Sequence, residues 1–266
     1  MHVICFAKQV IDPEMPVASF KIDEATKTVL PVQGLAPVIN GFDENAIEAA
    51  LRLKEDHEVT ITVIALGKDL VLDVIKKPLS MGADELILLQ DDAFEDGDAY
   101  SIGYALAMAV KKVGEFDLII CGRQASDTDR GQVGLAVAEL LGVPAITVGK
   151  SVAVKDGKVI VERVRTDGSE IVEAPLPALV TVSNELGEPR YPTLRGIMQA
   201  GRKKPTVWTA ADIGADAAKL GASGRIVSLS KLFIPVVEKE CAFIEGENEA
   251  DAGRQLALKL REAKLI

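Results

Sequence analysis

The chain has 266 residues, 48% hydrophobic and 26% charged, so it can bury a sizeable core in one large domain with or without an appendage. Its net charge of −10 argues against nucleic acid or an anionic membrane surface as the main partner. No apolar run approaches the ~20 residues of a membrane span, the N-terminus lacks a signal-peptide pattern, and three separated cysteines form neither a disulfide framework nor a metal site. We therefore expect a reduced, soluble, cytoplasmic protein that holds no metal and does not insert into membranes.

The first 150 residues alternate between short Val/Ile-rich runs and longer segments with helical spacing. The short runs are apolar throughout, which is typical of parallel strands covered on both faces. Asp43 is the expected N-cap of the first helix, and Pro78 is expected to kink or end the second. The predicted strands are residues 3–7, 59–66, 85–89, 117–121 and 145–148, and the predicted helices are residues 43–55, 68–81, 98–113 and 131–141. This alternation predicts an α/β fold with a parallel sheet flanked by helices.

The pattern changes after Lys150, where Asp156-Gly157 between two β-rich runs predicts a tight hairpin. Further along, the chain is polar and basic, and an amphipathic helix is expected near residues 251–263. We predict an α/β domain with added hairpins over residues 1–205 and a C-terminal arm over residues 206–266 that packs on another chain. The additional predicted strands are residues 151–155, 158–165, 169–173 and 178–182.

Residues 121–134 follow a predicted buried strand and open a predicted helix. They would therefore lie at the carboxyl edge of the sheet, where open α/β sheets bind ligands. The free N–H groups of the first helical turn, which is expected over residues 130–133, would hold a phosphate, and Gly131 would let it approach closely. Asp127 or Asp129 could accept from ribose hydroxyls. A plain polar turn explains the same residues, whereas a cation site lacks further ligands.

The sequence lacks the motifs of several enzyme classes. The first strand runs directly into Phe6-Ala7-Lys8-Gln9-Val10 without a glycine, so it has no GxGxxG fingerprint, and no Walker A sequence is present. Rossmann-type hydride transfer and ATP hydrolysis are therefore disfavoured. His2 and His57 are expected at the surface, and Cys5 and Cys121 are expected to be buried small hydrophobes. We predict no catalytic residue in this chain.

A third informative segment combines apolar and basic residues. Thr193 is expected to cap a short helix that carries Leu194, Ile197 and Met198 on one face, and the basic residues 202–204 follow. A basic patch beside an apolar face would suit docking onto an acidic partner. An ordinary helix on the core with a solvated basic end is the alternative.

Six segments match one known family in that family's order. They are Ala7-Lys8-Gln9-Val10-Ile11-Asp12, Asn40-Gly41-Phe42-Asp43 with residues 46–54, Ser80-Met81-Gly82-Ala83-Asp84, residues 122–134, residues 161–182, and Glu188-Pro189-Arg190-Tyr191 with Leu194 and Ile197-Met198. On these segments the chain resembles the β subunit of electron transfer flavoprotein along essentially its full length.

The resemblance implies an adenine nucleotide α-hydrolase-like domain, in a heterodimer whose α subunit holds the electron-transferring FAD and is embraced by the C-terminal arm. In respiratory members the β subunit holds a structural AMP, whereas in electron-bifurcating members it holds a second FAD that oxidises NADH. The implied recognition loop is residues 184–204, with Leu194 entering a hydrophobic pocket of an acyl-CoA dehydrogenase-type partner. The implied nucleotide-binding residues are Phe6, Ala7, Asn40, Gly41, Phe42, Asp43, Leu66, Gly67, Gly122, Arg123, Gln124, Ala125, Ser126, Asp127, Thr128, Asp129, Arg130, Gly131, Gln132 and Val133. The implied docking residues are Arg190, Tyr191, Leu194, Arg195, Ile197 and Met198.

The two branches of the family differ in a few residues of this site. Val133, where AMP-binding members commonly have threonine, and Arg123 favour the bifurcating type with FAD. Ala99 and Ile102, where bifurcating relatives have threonines, and Gly41 in place of the usual proline point the other way. We expect FAD in the β subunit, with AMP as the alternative.

Two readings from other classes remain. A nucleotide-binding regulatory module would explain the first 150 residues but gives no purpose to the hairpins, the recognition loop or the arm. A nucleotide-cleaving ligase or pyrophosphatase would need a Ser-Gly-Gly loop after the first strand, which this chain lacks.

Overall fold

A computed structural model describes residues 1–32, 34–236 and 241–266 of the chain. Its centre is one nine-stranded sheet. In chain order these strands are β1 (His2–Ala7), β2 (Thr60–Leu66), β3 (Glu85–Leu89), β4 (Leu118–Gly122), β5 (Ala145–Lys155), β6 (Lys158–Arg165), β7 (Gly168–Pro175), β8 (Ala178–Val182) and β9 (Thr206–Trp208). Two short antiparallel strand pairs lie outside it, Gln9–Val10 with Val38–Ile39 and Ile22–Asp23 with Thr28–Val29.

The spatial order of the sheet is β7-β6-β5-β8-β4-β1-β2-β3-β9. Strands β8, β4, β1, β2, β3 and β9 pair in parallel, and β8 also pairs in parallel with the start of β5. Strands β5, β6 and β7 form an antiparallel extension at one edge. The predicted α/β fold with a parallel sheet and added hairpins is confirmed.

The helices cover both faces of the sheet. They are α1 (Gly41–Asp56), α2 (Leu72–Ile75), α3 (Lys77–Met81), α4 (Ala99–Val113), α5 (Val133–Leu141), α6 (Leu194–Arg202), α7 (Gly221–Gly224) and α8 (Glu249–Glu262), with 3-10 turns at Val17–Ser19, Asp92–Phe94, Asn184–Leu186 and Ala217–Lys219. One core cluster contains the buried faces of α1 and α3, and a second contains those of α4 and α5. The two clusters take alternate residues of the central strands, as expected for a sheet buried on both sides.

Several predicted boundaries were wrong. Helix α1 begins at Gly41 with Asn40 as N-cap, so Asp43 lies inside the first turn and is not the cap. The helix predicted over residues 68–81 is two short helices, so the interruption expected near Pro78 is confirmed, although the break lies at Lys76. Pro78 itself occupies the first turn of the second helix, where its missing N–H is tolerated. Strand β5 is continuous through the predicted break at Gly149, because its first residues pair with β8 and its later residues with β6.

The hairpin prediction was correct. Asp156 and Gly157 join β5 to β6 with φ of 50° and 74°, the positive values that a two-residue type I′ turn requires. Aspartate and glycine are among the residue types most often found in such turns, since they tolerate positive φ.

The chain stays in the fold beyond residue 205. Strand β9 pairs with β3, and Ile213 and Leu220 are buried in the second core cluster. From Ile226 onward many large apolar side chains are exposed, and α8 buries none of its residues. The division at residue 205 stays a prediction as a domain boundary, although the sheet itself continues to Trp208. Within the described ranges, no helix has the length and apolar character needed to cross a bilayer.

Candidate functional site

The sheet reverses its direction of growth at β1. The chain adds β2 and then β3 on one side of β1 and returns to place β4 on the other side. This reversal is a topological switch point, where the connections that leave two neighbouring strand ends diverge and open a crevice. Lys8 and Gly122 lie at these two carboxyl ends, so the sequence-predicted site is brought to this point.

Asp43 joins the two strand ends. The backbone N–H of Lys8 donates to its Oδ2 (2.9 Å), and the backbone N–H of Gly122 donates to its Oδ1 (3.2 Å). Burial raises the pKa of Asp43 to about 7, and these hydrogen bonds offset the effect only in part. The carboxyl group ties the ends of β1 and β4 to the first turn of α1.

Gly122 leaves no room for a side chain. A Cβ there would lie 2.5 Å from Asp43 Oδ1 and 2.8 Å from the backbone carbon of Phe42. Neither contact can relax easily, because both atoms belong to the first turn of α1, which packs against β1 and β4. Close approach of α1 to the end of β4 thus requires glycine.

Asn40 holds the loop that follows β4. The backbone N–H of Ser126 donates to Asn40 Oδ1 (3.1 Å), and Asn40 Nδ2 donates to the carbonyl oxygen of Gln124 (2.8 Å). The backbone N–H of Asn40 in turn donates to the carbonyl oxygen of Lys8 (2.9 Å). Asn40 is 1% exposed, so it supports the loop from the protein interior.

Helix α5 starts later than its sequence suggests. Its first residue is Val133, its N-cap Gln132 makes no side-chain cap, and its first backbone bond runs from the N–H of Ala136 to the carbonyl of Gln132. The free donors of the first turn are therefore the N–H groups of residues 133–135, and the prediction of residues 130–133 was wrong. Gly131, with φ of 62°, makes the left-handed turn into the helix.

Three charged side chains of the loop, those of Arg123, Asp127 and Asp129, have partners within the chain. Lys8 Nζ pairs with Asp127 (2.6 Å), and Gln124 Nε2 donates to Asp129 Oδ1 (2.7 Å). The Arg123 guanidinium lies over the Phe42 ring, 5.3 Å from its centroid. These contacts fix the loop, so the two aspartates have protein partners in place of the ribose hydroxyls expected for them.

A cleft of about 770 Å³ opens between these elements, within the usual range of ~300–1,000 Å³ for small-molecule sites. One wall is polar and includes the N-terminus of α5. Another is apolar and is formed by Phe6, Ile64, Leu66, Ile102 and Leu106. The cleft thus offers hydrogen-bond donors and apolar surface to one ligand.

Residues far along the chain close the cleft. Asp98 caps α4 through Oδ1, while its Oδ2 accepts from the backbone N–H groups of Ile226 (2.8 Å) and Val227 (2.9 Å). Burial acts to raise the pKa of Asp98, but the hydrogen bonds that it accepts from backbone N–H groups outweigh burial and hold the pKa below its ordinary value. Lys27 Nζ donates to the carbonyl of Leu229 (2.9 Å) and brings residues 25–28 to the same rim. We call residues 225–230 the roof segment.

The site fits a phosphate-bearing nucleotide on one observation. Val133 and Gly134, the first residues of α5, line the cleft. The uncapped N-terminus of α5 supplies backbone donors and the positive end of a helix dipole. In the described ranges no group of three or more His, Cys, Asp or Glu side chains could hold a metal ion.

The predicted docking segment forms α6. The backbone N–H of Gly196 donates to Thr193 Oγ1 (3.0 Å), so the predicted N-cap is confirmed. Leu194, Ile197 and Met198 lie on the helix with exposed side chains, and Leu194 is 74% exposed.

Residues 28–213 match the electron transfer flavoprotein domain. The chain belongs to the electron transfer flavoprotein β-subunit family. It is 38% identical to an electron transfer flavoprotein subunit beta of Megasphaera elsdenii and 36% identical to one of Thermoanaerobacterium thermosaccharolyticum, each over 100% of both chains. It is 35% identical to the caffeyl-CoA reductase-Etf complex subunit CarD of Acetobacterium woodii, again over 100% of both chains.

Most of the nucleotide-binding residues that were predicted from the sequence line the cleft of this family member. Those that line it are Phe6, Ala7, Asp43, Leu66, Gly122, Arg123, Gln124, Ala125, Thr128, Arg130, Gly131, Gln132 and Val133. Those that do not are Asn40, Gly41, Phe42, Gly67, Ser126, Asp127 and Asp129. Asn40 and Phe42 instead support the loop and Arg123, and the N–H of Gly67 donates to the carbonyl of Leu89 (3.2 Å).

Sequence reasoning missed Asp98, residues 25–28 and the roof segment. The spacing of Asp98 and Ser101 is that of a capping box, which agrees with the helix predicted from residue 98 but does not mark Asp98 as a residue of the cleft. Nothing in the sequence pairs Asp98 with backbone more than 120 residues away.

Proposed function

We propose that this electron-transfer β subunit binds FAD in its cleft, assembles with an α subunit, and takes two electrons from NADH, which bifurcation divides between an acyl-CoA dehydrogenase-type flavoenzyme and a second redox partner. The observation that carries the proposal is the cleft itself, which combines the free donors of α5 with an apolar wall. When bound, the flavin supplies the electron-carrying chemistry, and the protein supplies its position and its electrostatic surroundings.

The residues of the chain divide this task. The N–H groups at the start of α5 would hold the phosphates, and Arg123 lines the cleft as a further positive group. Ala99 and Ile102 line it without hydrogen-bonding side-chain atoms, so these two positions of α4 offer the ligand no polar side-chain contact. The roof segment, which Asp98 holds down, would limit access of water.

Two other surfaces fit the proposed partners. The exposed apolar residues of the C-terminal arm, among them Phe233, Ile234 and Phe243, would be covered by the α subunit. Tyr191, Leu194, Arg195, Ile197 and Met198 would contact the dehydrogenase, with Leu194 as the anchor. The cytoplasmic location and the absence of nucleic-acid binding stay predictions.

The apolar contribution of Ala99 and Ile102 favours AMP as the alternative ligand, since AMP would need no polar contact with α4.

The discriminating experiment is to co-purify the chain with its α subunit, denature the complex, and identify the released nucleotides by chromatography. Two FAD per heterodimer are expected. One FAD and one AMP would replace the bifurcating assignment with a single-flavin carrier, and a cleft that releases no nucleotide would overturn the redox role and favour a regulatory module.

A further inference from the structure

Helix α1 carries a second polar face, at its middle and away from the cleft. Asn45, Glu48 and Arg52 are spaced so that their side chains project from one side of the helix. Asn45 Nδ2 donates to the carbonyl of Gly187 (2.7 Å), and Arg52 Nη1 donates to the carbonyl of Leu186 (3.0 Å). Helix α1 therefore holds the stretch of chain that leads to α6, which we call the docking helix.

Glu48 is the centre of this attachment. Its side chain is 5% exposed. Its Oε2 accepts from the backbone N–H of Arg190 (3.1 Å) and from Arg190 Nε (2.7 Å), and its Oε1 accepts from Arg190 Nη2 (3.0 Å) and Arg52 Nε (3.0 Å). Such a two-pronged arginine–carboxylate pair fixes orientation as well as distance.

Arg190 thereby has a different position from the one that its sequence motif suggests. Its guanidinium is directed to Glu48 and to Glu55 (2.8 Å from Nη2), on the α1 side. It was predicted as a docking residue, and in the structure its Nε and Nη2 donate to carboxylates within the chain. Arg190 stands three residues before the helix cap Thr193, so fixing it fixes where α6 begins.

Helix α6 also packs closely on α3, and Gly196 leaves no side chain between these two helices. At Gly196 an added Cβ would collide with the backbone carbonyl of Ser80 in α3. The docking helix thus rests on α3 at Gly196 and is tied to α1 at Arg190, while Leu194 points outward and is mostly exposed.

We propose that Glu48 is a positioning residue for docking: through Arg190 it holds α6 in the orientation that presents Leu194, Ile197 and Met198 to the partner dehydrogenase. Arg190 is the link in this arrangement and not a contact of the partner. The inference rests on the proposed docking function, and it adds that a buried carboxylate on the helix that also borders the cleft sets the pose of the docking helix.

The test uses the α–β complex with its nucleotides bound and follows electron transfer with the dehydrogenase as the varied component. Glu48→Gln keeps the size of the side chain but removes its charge and one acceptor. Arg190→Lys keeps the positive charge but loses the fork. Both variants are expected to raise the apparent KM for the dehydrogenase about tenfold, the scale of one lost charge-assisted hydrogen-bonded pair. The kcat at saturating dehydrogenase and the bound nucleotide should be unchanged.

Glu55→Gln is the matched control. It also removes one carboxylate partner of Arg190. Glu55 is exposed, however, and Arg190 keeps its buried partner Glu48, so the apparent KM for the dehydrogenase should change less than about twofold. An unchanged KM in Glu48→Gln would overturn the inference. So would a rise in KM that comes with a matching loss of bound nucleotide, since that would mark a general structural role.

Leu194→Ala separates this inference from the proposed function. If that variant leaves the KM unchanged, the docking surface itself is wrong and so is the role of Glu48 in it. If Leu194→Ala raises the KM and Glu48→Gln does not, the docking surface stands and only the positioning role is lost.

Discussion

The nucleotide cleft and the docking helix are both attached to α1, yet they are built in opposite ways. At the cleft, Asp43 is buried and accepts from neutral backbone N–H groups, and burial raises its pKa to about 7. At the docking end, burial also acts to raise the pKa of Glu48, but the hydrogen bonds from Arg190 and Arg52 outweigh it and hold the pKa below its ordinary value. Burial acts to raise the pKa of both carboxyls on this helix, but only Glu48 has arginine side chains as donors, and they turn its pKa shift in the opposite direction.

The two regions also differ in what they leave for a partner. The cleft turns its functional groups inward, and its shape depends on tight contacts such as the one at Gly122. The docking helix turns its apolar residues outward and depends on polar contacts behind it. Changes at the cleft should therefore damage folding and nucleotide retention together, whereas changes on the docking helix should affect only partner binding.

Gly122→Ala should have the largest effect. The added methyl group would press on Asp43 and Phe42, and such overpacking costs roughly 2–3 kcal/mol. We expect the complex to lose this chain's nucleotide and to unfold at lower urea concentration. The measurements are nucleotide release and urea denaturation. Gly253→Ala in α8, where an added Cβ meets nothing within 4 Å, is the control and should retain the nucleotide.

Leu194→Ala should come next and should affect the partner reaction alone. An exposed leucine that fills a partner's pocket contributes on the order of 2 kcal/mol, so the dehydrogenase KM should rise about thirtyfold. Bound nucleotide and unfolding midpoint should match those of the unmodified complex. Ile171→Ala on β7, another exposed aliphatic residue, should leave the KM as it was. If the KM of Leu194→Ala for the dehydrogenase equals that of the unmodified complex, Leu194 is not the anchor.

The pH dependence of stability should report on Asp43. Its pKa is higher in the folded chain than the ordinary 3.8, so the folded state binds more protons between these values and stability falls as pH rises from about 4 to about 7. The slope is at most ~1.4 kcal/mol per pH unit for one proton. Asp98 and Glu48, with lowered pKa values, lose their contributions only at more acidic pH. Urea denaturation at pH 5, 6 and 7 should show the fall in the unmodified chain, and Asp43→Asn should flatten it.

Asp98→Asn should have the smallest effect and should be confined to the roof segment. The remaining carbonyl oxygen can still cap α4, but the amide nitrogen cannot accept from Ile226 or Val227. Losing these bonds should cost about 1 kcal/mol, equivalent to roughly fivefold faster release of nucleotide. Asp216→Asn, at the N-cap of an exposed 3-10 turn, is the control. Unchanged release in Asp98→Asn would show that the roof segment does not retain the ligand.

The sequence predicted well those features that depend on neighbours along the chain. The strands over residues 85–89, 158–165 and 178–182 have the predicted bounds, since apolar runs and turn residues act locally. Thr193 as a helix cap and the turn at Asp156-Gly157 were correct for the same reason. The loop after β4 was recognised as a ligand loop because it joins a buried strand to a helix, although the helix starts later than expected.

The errors occur where a side chain has a distant partner. Asp43 looks like a helix cap in sequence, but it bonds the ends of β1 and β4. The docking motif that includes Arg190 likewise did not predict that Glu48 holds this arginine across 142 residues of chain. Periodicity and spacing contain no information about such pairs.

By itself, the sequence determined the α/β class and the loop that faces the cleft, because hydrophobic periodicity and local motifs act over short stretches of chain, and its six matching segments carried the resemblance to the electron transfer flavoprotein β-subunit family. The tertiary structure alone decided which carboxylates are buried, which of them meets a cation, and which remote segment closes the cleft. Burial and hydrogen bonding depend on which parts of the chain meet in space, and those contacts exist only once the sheet has formed.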